Sequence, residues 1–151
     1  MKKLKLISIL SLLFVLNVAS MCSDDDDDTS SQVSNPTEIA STLADGQWIV
    51  TLYKENDVVQ TSNYSGYNFT FAADGALSAT NGSTTQSGDW STYTDSGYTK
   101  LDMMFTALDG PFEEISEDWR VISRTTTKIE LKHISGGDGS TDYLTFEKDF
   151  I

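Results

Sequence analysis

From Gly46 to the C-terminus apolar residues recur at every second position, and that period decides most of what the chain can become. Trp48, Val50 and Leu52 alternate with Gln47, Ile49 and Thr51; Tyr67, Phe69 and Phe71 with Asn68 and Thr70; Ile129 and Leu131 with Lys128, Glu130 and Lys132; Leu144 and Phe146 with Tyr143, Thr145 and Glu147. Successive side chains of a strand point to opposite faces, so each run has one dry face and one wet face, as an antiparallel sheet over a single core requires. Turn-forming residues punctuate the runs at Glu55-Asn56-Asp57, Ala73-Asp74-Gly75, Asn81-Gly82, Asp95-Ser96-Gly97 and Gly136-Gly137-Asp138-Gly139. Strands joined in sequence by such turns form an up-and-down meander, and eight or nine of them fit between Gly46 and Ile151. A meander of that length has edges to protect, and closing into a barrel removes them. The expected fold is therefore all-β, a small eight- or nine-stranded antiparallel barrel. Eight strands enclose an interior just wide enough to be filled by side chains or to hold one small ligand.

The segment before the alternating region reads differently. Asn35-Pro36-Thr37-Glu38 places a capping Asn before a Pro at the first helical position and a Glu at the third, and Ile39 and Leu43 share one face, so a short helix precedes the first strand and stops near Asp45-Gly46. Further upstream, Lys2, Lys3 and Lys5 precede a 14-residue run, Leu6 to Ala19, whose only polar members are Ser and Asn. At about 1.5 Å per residue that run falls short of a hydrocarbon core of about 30 Å, so it fits a signal peptide better than a permanent span. Ala19-Ser20-Met21-Cys22 resembles the lipobox of bacterial lipoproteins, which implies acylation at Cys22, although Met21 departs from the usual small residue. Ser23, Asp24, Asp25, Asp26, Asp27 and Asp28 resemble the acidic export signal of Bacteroidota surface lipoproteins, which implies an outer-membrane address at the cell surface. By composition alone the Asp run is a solvated, self-repelling tether. The chain divides into a leader (1–21), an acylated Cys with an acidic tether (22–36) and one barrel domain (37–151).

The blocks G-Q-W-I-V-T-L, Y-N-F-T-F-A-A-D-G-A-L, S-G-D-W-S, K-I-E-L-K and Y-L-T-F-E-K, in that order from Gly46 to Lys148, resemble the small lipocalin-like domain of Bacteroidota lipoproteins. The resemblance implies that Trp48 closes the barrel base and that Trp90, in the second G-x-W, lies inside on the fourth strand. Lys148 is the basic residue placed to cover Trp48. Most members of that family lack an assigned ligand, so the resemblance implies a fold and an address more than an activity.

Composition narrows the chemistry. Ten basic against 23 acidic residues give a net charge of -13, a poor match for the phosphates of nucleic acid. The lone Cys forbids an internal disulfide, and the lone His leaves little room for a His-rich metal site. From residue 29 onward seven basic side chains face 18 acidic ones, so the domain carries -11. His133, in phase with Ile129 and Leu131, is a candidate base, but no G-x-S-x-G elbow presents a nucleophile. Asp138, Ser140 and Asp142 alternate like calcium ligands, with Asp149 further on, yet Tyr143 stands where that loop needs Gly. A Gly-rich hairpin is the simpler reading. No enzyme, cofactor or metal is expected.

A small, mainly apolar ligand held inside the barrel is the first functional expectation, with Trp48, Phe69, Phe71, Trp90, Met103, Phe105, Trp119 and Leu131 as its lining. Val50, Leu52, Leu77, Leu101, Val121, Ile129, Leu144 and Phe146 complete the inward set. Alternatively these side chains pack on one another, and the loops bind glycan, peptide or an outer-membrane partner. Tyr64 and Tyr67 in the 61–67 loop, and Phe112 and Ile115 in the long 107–117 connection, are the candidates for that role. The long connection is either a lid over the open end or a segment folded back onto the wall.

Overall fold

The computed structural model describes residues 34–151. The expected leader, the acylation site Cys22 and the export signal Ser23, Asp24, Asp25, Asp26, Asp27 and Asp28 lie outside the described residues. Helix α1 (Pro36–Leu43) begins as its sequence predicts: the Asn35 side chain accepts a 2.9 Å hydrogen bond from the Glu38 N–H, and Pro36 occupies the first turn. Ile39 and Leu43 are fully buried. Among the described residues nine strands follow, β1 (Gln47–Glu55), β2 (Val58–Val59), β3 (Asn68–Phe71), β4 (Ala76–Thr80), β5 (Thr85–Asp95), β6 (Tyr98–Phe105), β7 (Asp118–Arg124), β8 (Lys128–Ile134) and β9 (Thr141–Asp149). A 3-10 turn, Thr61–Tyr64, links β2 to β3, and a one-turn helix α2 (Pro111–Glu114) interrupts the connection from β6 to β7.

Every pairing among these strands is antiparallel, and β1 pairs with β9 from Gln47↔Asp149 to Lys54↔Tyr143. That last pairing closes an eight-stranded barrel. Strand β2 is the extra member, joined only to the far end of β1 through Lys54↔Val59 and Glu55↔Val58. The turn residues do what their types allow. Asn56 and Asp57 both adopt positive φ (47° and 66°), as do Ser96 and Gly97 (52° and 81°), and such turns follow the twist of the strands they join.

Two irregularities interrupt the ladder, and the first corrects the expected inward set. The ladder slips by one residue between Val50 and Leu52, so Tyr53 is buried and Leu52 is only half-buried. A second slip falls between Val121 and Ser123; Val121, just before it, is half-buried and packs against the core as expected. An extra residue in one strand reverses which faces point inward beyond it. Strict alternation carried through Thr51 therefore assigns the wrong residue.

Candidate functional site

Each residue expected to line the interior is buried: Trp48, Phe69, Met103, Phe105, Trp119 and Leu131 at 3% exposure or less, Phe71 at 1% and Trp90 at 8%. Their neighbours are one another. Phe69 stands in the middle, with ring centroids 6.2 Å from Phe105, 6.1 Å from Phe112, 5.2 Å from Phe146 and 6.5 Å from Tyr64. Phe71 meets Trp90 and Phe146 edge to face at 5.4 and 5.5 Å. Rings at these separations are in contact, and each such pair contributes about 0.5–1.5 kcal/mol beyond the area it buries. Side chains fill the interior at these positions.

Both ends are closed as well. At the base the Trp48 indole N–H donates to the Leu43 carbonyl at 2.9 Å, which fastens α1 to the first strand. Arg124 reaches the same helix through Thr42 at 3.0 Å and Glu38 at 3.4 Å. Lys148, opposite Trp48 in the ladder, lies across Gly46 and bonds Asp45 at 2.7 Å. Trp90 sits on the fourth stave of the ring and donates to the Ala72 carbonyl at 2.9 Å.

At the other end the loop candidates turn out to be plugs. Tyr64 is 1% exposed and donates its hydroxyl to the Pro111 carbonyl at 2.6 Å; Phe112 packs edge-on against Tyr64, Tyr67 and Phe105 at 5.0 to 5.7 Å. Ile115 is fully buried, and its carbonyl accepts from the Trp119 indole at 3.0 Å. The long connection is thus folded into the barrel mouth, and Tyr64 is not available for stacking on a ligand. Of the two readings open for that connection, the one over the open end holds; sequence alone misses Tyr64, because no period marks a loop side chain that turns inward.

One carboxylate is caught in this plug. Glu114 Oε2 is buried without a hydrogen-bond partner, and burial, with the charges of Glu55 and Glu113 added, raises its pKa above the ordinary Glu value. A carboxyl whose folded pKa exceeds its unfolded pKa holds its proton more tightly when folded. Its stabilising contribution is present below the unfolded value and is lost as pH rises through the folded one. Glu114→Gln therefore raises Tm at pH 7, and the gain disappears at about pH 3, where the carboxyl is protonated in both states. Thermal melts at the two pH values check this; an equal gain at both would show that charge is not the cause.

His133 lies at the mouth of the barrel rather than deep inside it. Its Nε2 is 3.6 Å from Glu117 Oε2 and 3.6 Å from Asp118 Oδ1, its Nδ1 is 4.0 Å from Asp142 Oδ2, and its ring meets Trp119 at 5.9 Å. Among the described residues, Glu117, Asp118 and His133 are the ones that could hold a metal, with one ligand atom each, all within 4.8 Å of one another. Asp118 already engages the Lys100 ammonium at 2.9 Å. The calcium-like ligands are dispersed: Asp138 caps its own hairpin by accepting from the Ser140 N–H at 2.9 Å, Asp142 accepts from the Asn56 N–H at 3.0 Å, and Asp149 ends β9 opposite Gln47.

Sharing Asp118 and His133 with this cluster, the wall forms a depression of about 240 Å³ lined also by Tyr98, Lys100, Arg120, Lys132 and Ile134. The Arg120 guanidinium lies over the Tyr98 ring, 3.3 Å from its centroid. Asp102 is partly buried near Asp118, and both effects raise its pKa, burial more than charge. Three cations, an aromatic shelf, an imidazole and the Asp118 carboxylate meet in the depression. Of these residues sequence reasoning singled out His133 as a candidate base and Asp118 within an acidic cluster, and none of the cations.

The fold defines a class: a closed, eight-stranded, up-and-down antiparallel barrel with a helix before its first stave. No family model and no curated protein matches the chain. Among solved structures, the crystal structure of a DUF4847 family protein from Bacteroides vulgatus superposes with a TM-score of 0.50 at 16% identity, covering 74% of this chain and 97% of that one. The likeness is one of fold.

Proposed function

We propose that the protein is a lipid-anchored, non-catalytic binding module of the outer-membrane surface, and that it engages its ligand or partner on the outside of a filled barrel. The observation that carries the second half is the ring cluster around Phe69, which occupies the space an enclosed apolar ligand would need. Close-packed interiors leave few voids larger than a water molecule. Burial of Phe112 and Ile115 at the mouth adds to the same reading. The non-catalytic half rests on the sequence, which presents no G-x-S-x-G elbow to hold a nucleophile for His133.

Uptake of a lipophilic fluorescent probe tests the barrel. A filled interior predicts no saturable binding and no quenching of tryptophan emission, whereas stoichiometric uptake with quenching would restore the enclosed-ligand reading. The anchor rests on the lipobox-like Ala19-Ser20-Met21-Cys22, followed by Ser23 and five Asp. Cys22→Ala is expected to shift the protein from the membrane fraction to the soluble fraction. Replacement of Asp24, Asp25, Asp26, Asp27 and Asp28 by Asn is expected to reduce its cleavage by protease added to whole cells. Continued tight membrane association of the Cys22 variant would overturn acylation at that residue.

A further inference from the structure

The cations of this acidic domain are unevenly placed. Following the ladder from β5, Tyr93 pairs with Lys100, Lys100 with Arg120, Arg120 with Lys132, Lys132 with Tyr143, and Tyr143 with Lys54. Residues directly opposite in an antiparallel ladder share a face, so these six side chains form one continuous row on the outer wall. Adjacent strands are 4.7–4.9 Å apart, so the row runs about 24 Å around the barrel, across six of its eight staves. Four of the seven basic residues after the leader stand in it.

Like charges set directly opposite one another destabilise a sheet, yet Lys100, Arg120 and Lys132 occupy three successive positions. Lys100 is neutralised by Asp118 and Lys54 by Asp57. Among the described residues Arg120 and Lys132 have no carboxylate partner. Arg120 is instead held flat on Tyr98, a stacking that fixes the plane of the guanidinium and leaves its N–H edges free to chelate an oxyanion. Tyr93 and Tyr143, at 38% and 37% exposure, offer rings along the same row. Tyrosine rings stack on the C–H faces of sugars. The depression beside Arg120 and Lys132 is the concave part of this surface.

We infer that this row is a binding site for an acidic saccharide, one carrying carboxylate or sulfate groups, with Arg120 and Lys132 holding the anionic groups and the tyrosines holding the sugar faces. It rests on the outer-wall reading above and gives that reading its ligand class. A long nucleic acid fits less well, since its phosphates would extend beyond the row over a surface of net negative charge.

The test is calorimetric titration of the full-length protein at low salt with a chondroitin sulfate hexasaccharide. Maltohexaose, inorganic sulfate and a single-stranded hexathymidylate serve as comparison ligands. The acidic hexasaccharide is expected to bind at least about tenfold more tightly than each of the three, and Arg120→Gln with Lys132→Gln to weaken it by about tenfold or more. Raising the salt should weaken it too, because the contacts are exposed ion pairs. Lys128→Gln, off the row, should leave binding unchanged. The paired variant should keep or raise its Tm, because it removes facing like charges, so its loss of binding is not a loss of fold. Equal binding by the paired variant, by maltohexaose or by sulfate alone overturns the inference, as does tighter binding of the oligonucleotide. These outcomes leave the filled barrel standing, because only probe uptake overturns that.

Discussion

Replacing Phe69 by alanine lowers the unfolding free energy by about 3–5 kcal/mol, the range for removing a phenyl ring from a packed core. Phe69 is fully buried and touches Tyr64, Phe105, Phe112 and Phe146, which come from the 3-10 turn, β6, α2 and β9. It therefore joins the mouth plug to the staves on both sides. Neighbours pinned by the barrel ladder collapse little into the space, so most of the cavity cost remains. Denaturant unfolding with a common m-value measures the change. A loss under about 1 kcal/mol would mean that the ring is not at the centre of a filled interior. The variant also converts the filled barrel into one with a cavity, so it is expected to take up the lipophilic probe that the parent protein excludes.

The second large effect comes from adding a single methyl group. A Cβ placed on Gly88 overlaps the Met104 carbonyl oxygen and falls 2.7 Å from the Phe105 Cα. Both are backbone atoms of the paired strand, Gly88 standing opposite Phe105 in the ladder. A flexible side chain can give way, but a hydrogen-bonded strand cannot without breaking its register. Gly88→Ala is accordingly expected to cost about 1–3 kcal/mol or more by overpacking. Near-ultraviolet circular dichroism should change too, because Trp90 and Met103 form the next inward pair. Unchanged stability would show that the two strands do not approach so closely. This is the physical content of the second G-x-W: the glycine permits close approach of two backbones, and the Trp two positions on fills the interior beside them.

Much of the architecture was legible in the chain. The Asn35-Pro36 start of α1, the hairpin turns and the inward phase of Trp48, Phe69, Phe71, Leu131 and Phe146 follow from local rules, and local rules act over a few residues. Where a strand gains a residue the rule fails, which is why Tyr53 and not Leu52 is buried. Tyr64 reads as an exposed loop contact in the sequence, and for Phe112 and Ile115 lid and loop contact both stay open, because nothing local distinguishes an aromatic or aliphatic side chain that plugs a barrel from one that faces water. The outer-wall row was invisible for a different reason. Lys54, Tyr93, Lys100, Arg120, Lys132 and Tyr143 are scattered along the chain from the first strand to the last, and only the pairing register brings them into line.

By itself the sequence pointed to the class of the fold, because a period of two punctuated by tight turns gives a meandering antiparallel sheet, and closing that sheet buries its dry face and removes its edges. It also set the inward residues wherever the alternation ran unbroken. Whether that interior is a cavity or a packed core was decided only by the tertiary structure, since it depends on how rings from separate segments meet. The same holds for the basic row. Side-chain direction is a property of each strand, but adjacency across strands is a property of register, and register is settled only when the whole barrel closes.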